Sequence, residues 1–596
     1  MDNNKQNEQK TFEKKPLLNG QFIFKNDDTV VCVHCQGEFK YHRSTSSLSY
    51  HLRTKHAFMT SMPSTSSRTQ AHQPTVFEMY ERAKPMDQGR YNSVTNAIAK
   101  WIAMNGRPTN IVSDDGLQTV IRVASGNQAY TLPSRPTIDR RIAELYRTEE
   151  MRINAMLSEA TYVAVTADYW SSIANENYLG VTGHAITVPG WELQSVALAV
   201  KLIEDRHYAS ACAEHFSAVT TEWGIFDKVT TFSTDNARNV TNAVGLLPFH
   251  HMPCMAHSLQ LSVNKGIAES GLDNVLAKCR KIVGHFKHSP ANQVELKVQQ
   301  SQKNMPEEAL IQDVVTRWNS TLQMVERLLR NKESVITTLA APNHTHHLNL
   351  LSESEWDKLR TLKMLLHPCR YATEILGGEH YVSCSVVLPT VAYLRRFMVV
   401  SDDDPAFAVR FKTAFVNDLD ARMENCNMSW LTLSTALDPR FKRLKCIPKT
   451  QRDAVWTELQ NLISAADSQE RQQGDRSTSQ PPRKMRRLHD FSDSDDDETP
   501  QQSTANLAVW RYKSESEIDE DACPLEWWKA HSGAYPTIAT LARKYLTTPA
   551  TTVSCERLFS ASGNIVNKKR ASLSSGNVNQ LVCLNNWLRN NQTNKR

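Results

Sequence analysis

At residue 160 the spacing of apolar residues changes, and that change decides what the rest of the chain can build. Before it, FEMYERAKP, SVTNAIAKWIAMNG and PSRPTIDRRIAELYRTEEMRINAML carry helical spacing, the last with proline ahead of a long helix. After it come three short β-rich runs, ATYVAVTADYW, YLGVTGHAITV and LQSVALAVKLI, with PGW as a turn signal between the last two. HYASACAEHFSAVTTEWG is helical again, and KVTTFSTD returns to strand. The expected order is strand, strand, strand, helix, strand. From 258 to about 460 helical patterns dominate, such as NVLAKCRKIVGHF, NSTLQMVERLLRN and EWDKLRTLKMLL. A chain of 596 residues exceeds one hydrophobic core, so several domains are expected.

Composition places the boundaries. Residues 1–20 are polar and expected to be disordered; 21–60 hold a cysteine/histidine cluster; 61–75 read as a Ser/Thr/Pro/Gln linker. Residues 76–155 form a helical region, 156–257 the strand-rich core and 258–464 a helical insertion. Residues 465–522 join a basic cluster, Arg483, Lys484, Arg486 and Arg487, to a run in which acids outnumber Arg511 and Lys513. Such a stretch is expected to stay disordered, because it buries too little apolar surface to offset its ordering entropy. Order resumes over 523–590.

Mean hydropathy is −0.48, and no apolar run reaches 18 residues, so no membrane-spanning helix and no membrane partner are expected. The polar start MDNNKQNEQK is not a secretory leader. Of twelve cysteines only Cys32 and Cys35 form a close pair, which argues against a disulfide framework. The net charge of +6 says little, because nucleic-acid binding needs a local basic patch and not a basic total.

CVHC…HLRTKH gives Cys-x2-Cys, fifteen intervening residues and His-x4-His. Two thiolates on a tight turn and two imidazoles on one helix can meet around a single tetrahedral zinc, so Cys32, Cys35, His51 and His56 are the expected ligands. In so short a segment the metal would supply most of the folding free energy. Phe22, Phe24 and Phe39 are expected to pack beside it.

Three acids stand apart from the rest. Asp168 in TYVAVTADYW and Asp235 in VTTFSTDNARN are expected at strand ends, and Glu556 in SCERLFSASG near the start of a helix. Asn236 and Asn239 can fix the turn after Asp235. Taken singly, an Asp at a strand end is as readily a turn or cap residue. Brought together, three carboxylates repel unless cations neutralise them, so their natural use is to hold Mg2+ or Mn2+. Two such ions about 4 Å apart would serve phosphodiester chemistry.

TADYWSS, STDNARN, PCMAHSLQL, TRWNSTLQM, ALDPRFKRL and SCERLFSASG follow one another in this order. The series resembles the hAT superfamily of cut-and-paste transposases over residues about 75 to 590. Cys32, Cys35, the SSLSYHL stretch and His51/His56 resemble a BED-type zinc finger, although Phe22 and Phe24 stand where that family usually carries an aromatic pair with tryptophan. The resemblance implies a multidomain α+β protein: a BED zinc finger, a ribonuclease-H-like α/β core that opens with strand, strand, strand, helix, strand, and a large all-helical insertion interrupting it. It implies that 76–155 serve DNA binding or dimerisation, and that 523–590 dimerise the chain while completing the core. Val578, Leu581, Val582 and Leu588 give that block an apolar face, which core packing also explains.

By motif match the resemblance assigns Asp168, Asp235 and Glu556 as a catalytic triad, with Cys254 and His257 supporting it. Arg317 and Trp318 match a pair in the insertion, where tryptophan would stack on a flipped base or simply pack in the core. Lys40, Arg43, Arg53 and Lys55 occupy DNA-contacting positions of the finger or belong to a solvated surface. PPRKMRRL, with Arg483, Lys484, Arg486 and Arg487, reads as a nuclear localisation signal in preference to a solvated charge run. Ser492 and Ser494 are candidate phosphorylation sites whose added charge could mask it. The expected function is DNA cleavage and strand transfer by a nuclear, zinc-containing homo-oligomer on double-stranded DNA. The alternative is a domesticated, sequence-specific transcription regulator that binds without cutting.

Overall fold

The structure, a computed structural model, describes residues 20–26, 28–41, 46–56, 84–172, 175–204, 208–315, 317–341, 348–379, 381–474, 500–565 and 574–593. Arg43, the 61–75 linker, Arg483, Lys484, Arg486, Arg487, Ser492 and Ser494 lie outside the described residues, as does the side chain of Arg53. The chain divides into two units, Met1–Lys84 and Pro85–Arg596.

The first unit is a three-stranded antiparallel sheet and one helix: β1 (Phe22–Asn26), β2 (Thr29–Cys32), β3 (Glu38–Lys40) and α1 (Ser46–Lys55). Its core is Phe22, Val30, Cys32, Tyr41, Leu48 and Leu52, with Phe24 and Phe39 packed at the margin. Leu48 and Leu52, four apart, present one face of α1 to the sheet.

The second unit begins with α2 (Gln88–Asn105), α3 (Asp115–Ser125) and α4 (Arg135–Glu159). Pro136 sits in the first turn of α4, where a missing N–H costs nothing. The strand-rich part follows: β4 (Val163–Ser171), β5 (Asn177–Ile186), β6 (Leu193–Ile203), α5 (Ala209–Glu222), β7 (Val229–Thr234), α6 (Arg238–Gly245) and β8 (His250–Pro253). These strands form one sheet in the order β6-β5-β4-β7-β8. β4, β5 and β6 pair antiparallel; β4, β7 and β8 run parallel. Val163 to Ala167 are buried without alternation, as a central strand covered on both faces requires. β8 was not expected, because HHMP is too short and too polar to carry a strand pattern.

Helices then follow in series: α7 (Met255–Ser270), α8 (Asp273–Lys287), α9 (Pro290–Gln302), α10 (Ser320–Arg330), α11 (Lys332–Leu339), α12 (Glu353–Leu376), α13 (Val387–Phe397), α14 (Ala406–Glu424), α15 (Met428–Ala436) and α16 (Lys449–Gly474). After them come α17 (Pro500–Ser514), α18 (Pro524–His531), α19 (Pro536–Leu546), α20 (Val553–Ile565) and α21 (Ser575–Thr593). The unit is thus mixed α/β with a large helical region, and among the described residues no helix is long and apolar enough to cross a membrane. α7 to α19 share one core, which holds Trp356, Trp430, Tyr512 and Trp528. α20 and α21 return to the sheet, whose core includes Phe216, Phe232 and Trp587.

The edge of the sheet at β6 is closed by side chains. Asn579 Oδ1 accepts from Val200 N–H at 2.7 Å and Asn586 Oδ1 from Ala197 N–H at 2.9 Å. Trp587 Nε1 and Asn590 Nδ2 donate to Ala197 O and Ser195 O at 2.9 and 2.7 Å. α21 therefore satisfies backbone groups that a bare edge strand would offer to another chain.

Two expectations need correction. The stretch expected to be disordered over 465–522 is helical at both described ends: α16 runs to Gly474 and α17 starts at Pro500. Val509 and Tyr512 are buried, and Tyr512 OH donates to Ala436 O at 3.0 Å. Averaged over the whole stretch, charge hid the apolar spacing of Ala505, Val509 and Tyr512. Asp168 also lies within its strand and not at the end, because pairing with β5 continues to Ser171↔Asn177.

Candidate functional site

In the first unit the turn after β2 sets two thiols side by side. Gln36 adopts φ +58°, and its N–H donates to Cys32 O at 2.9 Å while Cys32 N–H donates to Gly37 O at 2.9 Å. His51 on α1 and His56 just beyond it complete the group. The ligand atoms of Cys32, Cys35, His51 and His56 all lie within 4.8 Å of one another, with Cys35 Sγ 3.3 Å from His51 Nε2. His56 Nε2 is buried without a hydrogen-bond partner, an orphan that a metal bond satisfies. Burial first, then the charges of His56 and Lys55, hold His51 below the ordinary imidazole pKa, which favours its neutral, ligating form. Two thiols and two imidazoles at this spacing fit zinc. Lys40 and Lys55 are exposed on this unit.

In the second unit the parallel register of β4 and β7, with Thr166 against Ser233, carries Asp168 level with Asp235. Asp168 Oδ1 accepts from Tyr169 N–H at 2.8 Å, and Asp235 Oδ1 from Ala237 N–H at 3.2 Å. Asn236 does not close its own turn as expected; its Nδ2 donates to Ser258 Oγ on α7 at 3.0 Å. Glu556 enters from the first turn of α20.

Buried polar contacts seat that helix. Ser554 Oγ lies 3.0 Å from Thr166 Oγ1 and 2.9 Å from Thr182 Oγ1. Phe559 packs over Gly180, where a Cβ would stand 2.5 Å from Phe559 Cε1, so glycine is what permits the approach. Cys254, fully buried ahead of α7, joins the remaining pieces. Its N–H donates to Thr234 O at 2.9 Å, and its Sγ accepts from Thr552 N–H at 3.3 Å. Burial pushes its thiol up to about 11, so it acts as a neutral brace and not as a nucleophile. The hydroxyls of Thr166, Thr182 and Ser554 were missed in the sequence. TTVSCE, with its cluster of hydroxyls ahead of the acid, hinted at Ser554 alone.

The electrostatics follow from this gathering. Asp168 is pushed up to about 7, by burial first and then by Asp235; His257 and the Tyr169 N–H oppose the shift, and Glu556 adds to it. Glu556 is raised by burial and lowered in part by His257. His257 Nε2 stands 3.8 Å from Glu556 Oε1, and its Nδ1 is buried without a hydrogen-bond partner. Its ring meets Trp318 edge-on at 5.3 Å. Trp318 is half-buried and meets the acids only through His257, and its neighbour Arg317 is exposed. Their loop is pinned by Asp313, which is buried and accepts Arg280 Nε at 3.0 Å and Nη2 at 2.7 Å.

Among the described residues only the finger quartet forms a tight group of metal-ligating atoms; the three acids stand wider apart. Their donor set is all oxygen, which fits a hard divalent cation.

Four family models match this chain: a BED zinc finger over residues 21–57, a ZBED1 RNase-like domain over 166–259, a ZBED1 RNase-like helical domain over 252–365, and the hAT family C-terminal dimerisation region over 508–588. The chain is a BED-finger, hAT-transposase-like protein. It is 24% identical to the "Putative AC transposase" of Zea mays over 93% of this chain and 72% of that one. It is also 24% identical to the "Putative transcriptional regulator tpeD" of Talaromyces stipitatus, covering 81% and 60%. With the human "Zinc finger BED domain-containing protein 4" it shares 23% identity over 91% of this chain and 49% of the relative.

Proposed function

We propose that the chain is a DNA-binding transposase with a ribonuclease-H-like core, in which Asp168, Asp235 and Glu556 hold Mg2+ or Mn2+ for phosphodiester cleavage and strand transfer. The observation that carries this reading is the strand register that sets Asp168 level with Asp235, where burial first and then Asp235 push the Asp168 carboxyl up to about 7. A divalent cation would reverse that penalty and keep all three acids ionised. When bound, the ions would polarise the attacking oxygen and stabilise charge on the leaving one. The chain's own residues do the placing: parallel strands level two acids, the Ser554 contacts aim the third, and Cys254 locks both pieces together.

In this reading the finger holds zinc and, with Lys40, Arg43, Arg53 and Lys55, grips DNA. Arg317 and Trp318 meet the strand next to the acids, and the 508–588 region pairs two copies. Arg483, Lys484, Arg486 and Arg487 address the chain to the nucleus. The likeness to a relative named a transcriptional regulator favours a second reading, in which the chain binds DNA without cutting it.

Strand cleavage of DNA bearing the flanking terminal sequences, with Mg2+ or Mn2+ and beside Asp235→Ala, separates the two. Cleavage by the parent alone supports the transposase, with a loss of at least about a hundredfold in the variant. Specific binding with no cleavage by either supports the regulator.

A further inference from the structure

The loop bearing Trp318 and the helix bearing Glu556 are both tied to the C-terminal end of α12, the loop to its last turn and the helix to Leu376 and the residues just after it. On the loop side, Asn319 Nδ2 donates to Thr373 Oγ1 at 2.9 Å. The Thr373 hydroxyl is itself buried and donates to Arg370 O at 2.8 Å, so its orientation is fixed. Asn319 adopts φ +59° directly after Trp318, a conformation in which a short amide side chain is among the residues best tolerated. On the helix side, Arg557, the neighbour of Glu556, forms an ion pair with Glu379 and donates from Nη2 to Gly377 O at 3.5 Å. Thr551 Oγ1 donates to Leu376 O at 3.4 Å. Gly377 lets the two segments meet closely: a Cβ there would lie 3.3 Å from Val553 Cγ2.

The end of α12 is built to be rigid. Gly377 N–H donates to Thr373 O at 3.0 Å, and Tyr381 OH caps Ile375 O at 2.6 Å. Pro368 inside the helix removes one backbone bond further up, which sets this last stretch off from the rest of α12. Five residues, 374 to 378, thus separate Thr373 from Glu379.

We propose that Thr373 and Glu379 are positioning residues: through the end of α12 they couple the Arg317–Trp318 loop to helix α20, so that the helical insertion sets where Glu556 points. DNA engaged at the loop would then be felt at the third acid. The catalytic part of this inference rests on the transposase reading; the coupling itself does not.

Backbone amide exchange on the zinc-loaded full chain tests the coupling, with Thr373→Val, which removes the hydroxyl at nearly constant volume, and Glu379→Gln. Thr373→Val should speed exchange at residues 553–558 by about fivefold or more, and Glu379→Gln should do the same at 314–320. Faster exchange confined to each variant's own contact overturns the proposal. Should Thr373→Val not fold, Asn319→Ala removes the same bond from the other side.

Cleavage supplies the second readout. Both variants should lose about tenfold to a hundredfold in rate with DNA affinity unchanged, as misplacement of a reacting group does. The double exchange Glu379→Arg with Arg557→Glu should recover much of the Glu379→Gln loss. Weakened DNA binding at full cleavage rate, or no recovery, overturns the positioning role. A parent that does not cleave sinks the transposase reading, and the exchange data still decide the coupling.

Discussion

The finger unit and the sheet-bearing unit differ in what gathers their ligating side chains. In the first, Phe22, Val30, Cys32, Tyr41, Leu48 and Leu52 are the buried core among the described residues, too little for a segment of this size to fold on its own. Its Cys and His atoms come together because the metal completes the fold. In the second, the strand register, the Ser554 hydroxyl contacts and Cys254 bring Asp168, Asp235 and Glu556 together against their mutual repulsion. Packing does the gathering there, and a metal would relieve a strain already present. Zinc is part of the architecture of the finger; on the proposed reading, a metal at the acids would be part of the chemistry.

The largest effect expected from this contrast is on the finger. Stripping zinc with a chelator removes binding free energy of about 10 kcal/mol or more. Amide protection over residues 22–55 should vanish while the melting transition of the second unit stays put. Loss of both together would mean that the two units do not fold independently.

The sheet should respond instead to packing. Trp587 is fully buried, bonds Ala197 O at 2.9 Å and lies against Tyr146 and Trp223. Trp587→Ala should cost about 3–5 kcal/mol of second-unit stability by denaturant titration, with zinc content unaltered. Gly180→Ala sharpens the point nearer the acids. Its new methyl meets Phe559, and the overpacking should cost about 1–3 kcal/mol. An unchanged midpoint would show that α20 shifts freely.

The smallest effect is a pH slope. His184 is wholly buried at the far side of the Thr166–Thr182–Ser554 contacts, and burial lowers its pKa to about 3. Below pH 6.5 the unfolded chain therefore takes up a proton that the native one refuses. The His184 contribution is fully present well above that pH and falls with acidification, by up to about 1.4 kcal/mol per pH unit towards the folded pKa. Between pH 6.5 and 5.5 His184→Gln should lose about 1 kcal/mol less stability than the parent. Parallel slopes for parent and variant would mean that the imidazole is not held neutral.

What could be read beforehand follows the same division. The zinc quartet is local: four residues within one short segment, at a spacing that leaves few other uses. Strands β4 to β7 were legible because apolar spacing is a local signal too, whereas β8 carries none and was missed. Asp168, Asp235 and Glu556 stood out in the sequence only through the words around them. What levels and braces them joins residues far apart: Thr166 reaches Ser554 across 388 positions. Thr373 and Glu379 lie in no motif, and Arg557 was passed over beside Glu556, since an ion pair or a hydroxyl contact between distant segments leaves no periodic trace. The same holds for α17, whose apolar spacing was drowned by the charge around it.

The covering of β6 by α21 has a consequence for how the protein is made. The strand leaves the ribosome long before the side chains that seal it, which follow 389 residues later in the case of Ala197 and Asn586. For most of synthesis the nascent chain therefore displays an open strand edge. A chain halted before α21 would be worse than inactive: it would carry a sticky edge into a crowded cell, and is best understood as a client for chaperones or a seed for aggregation.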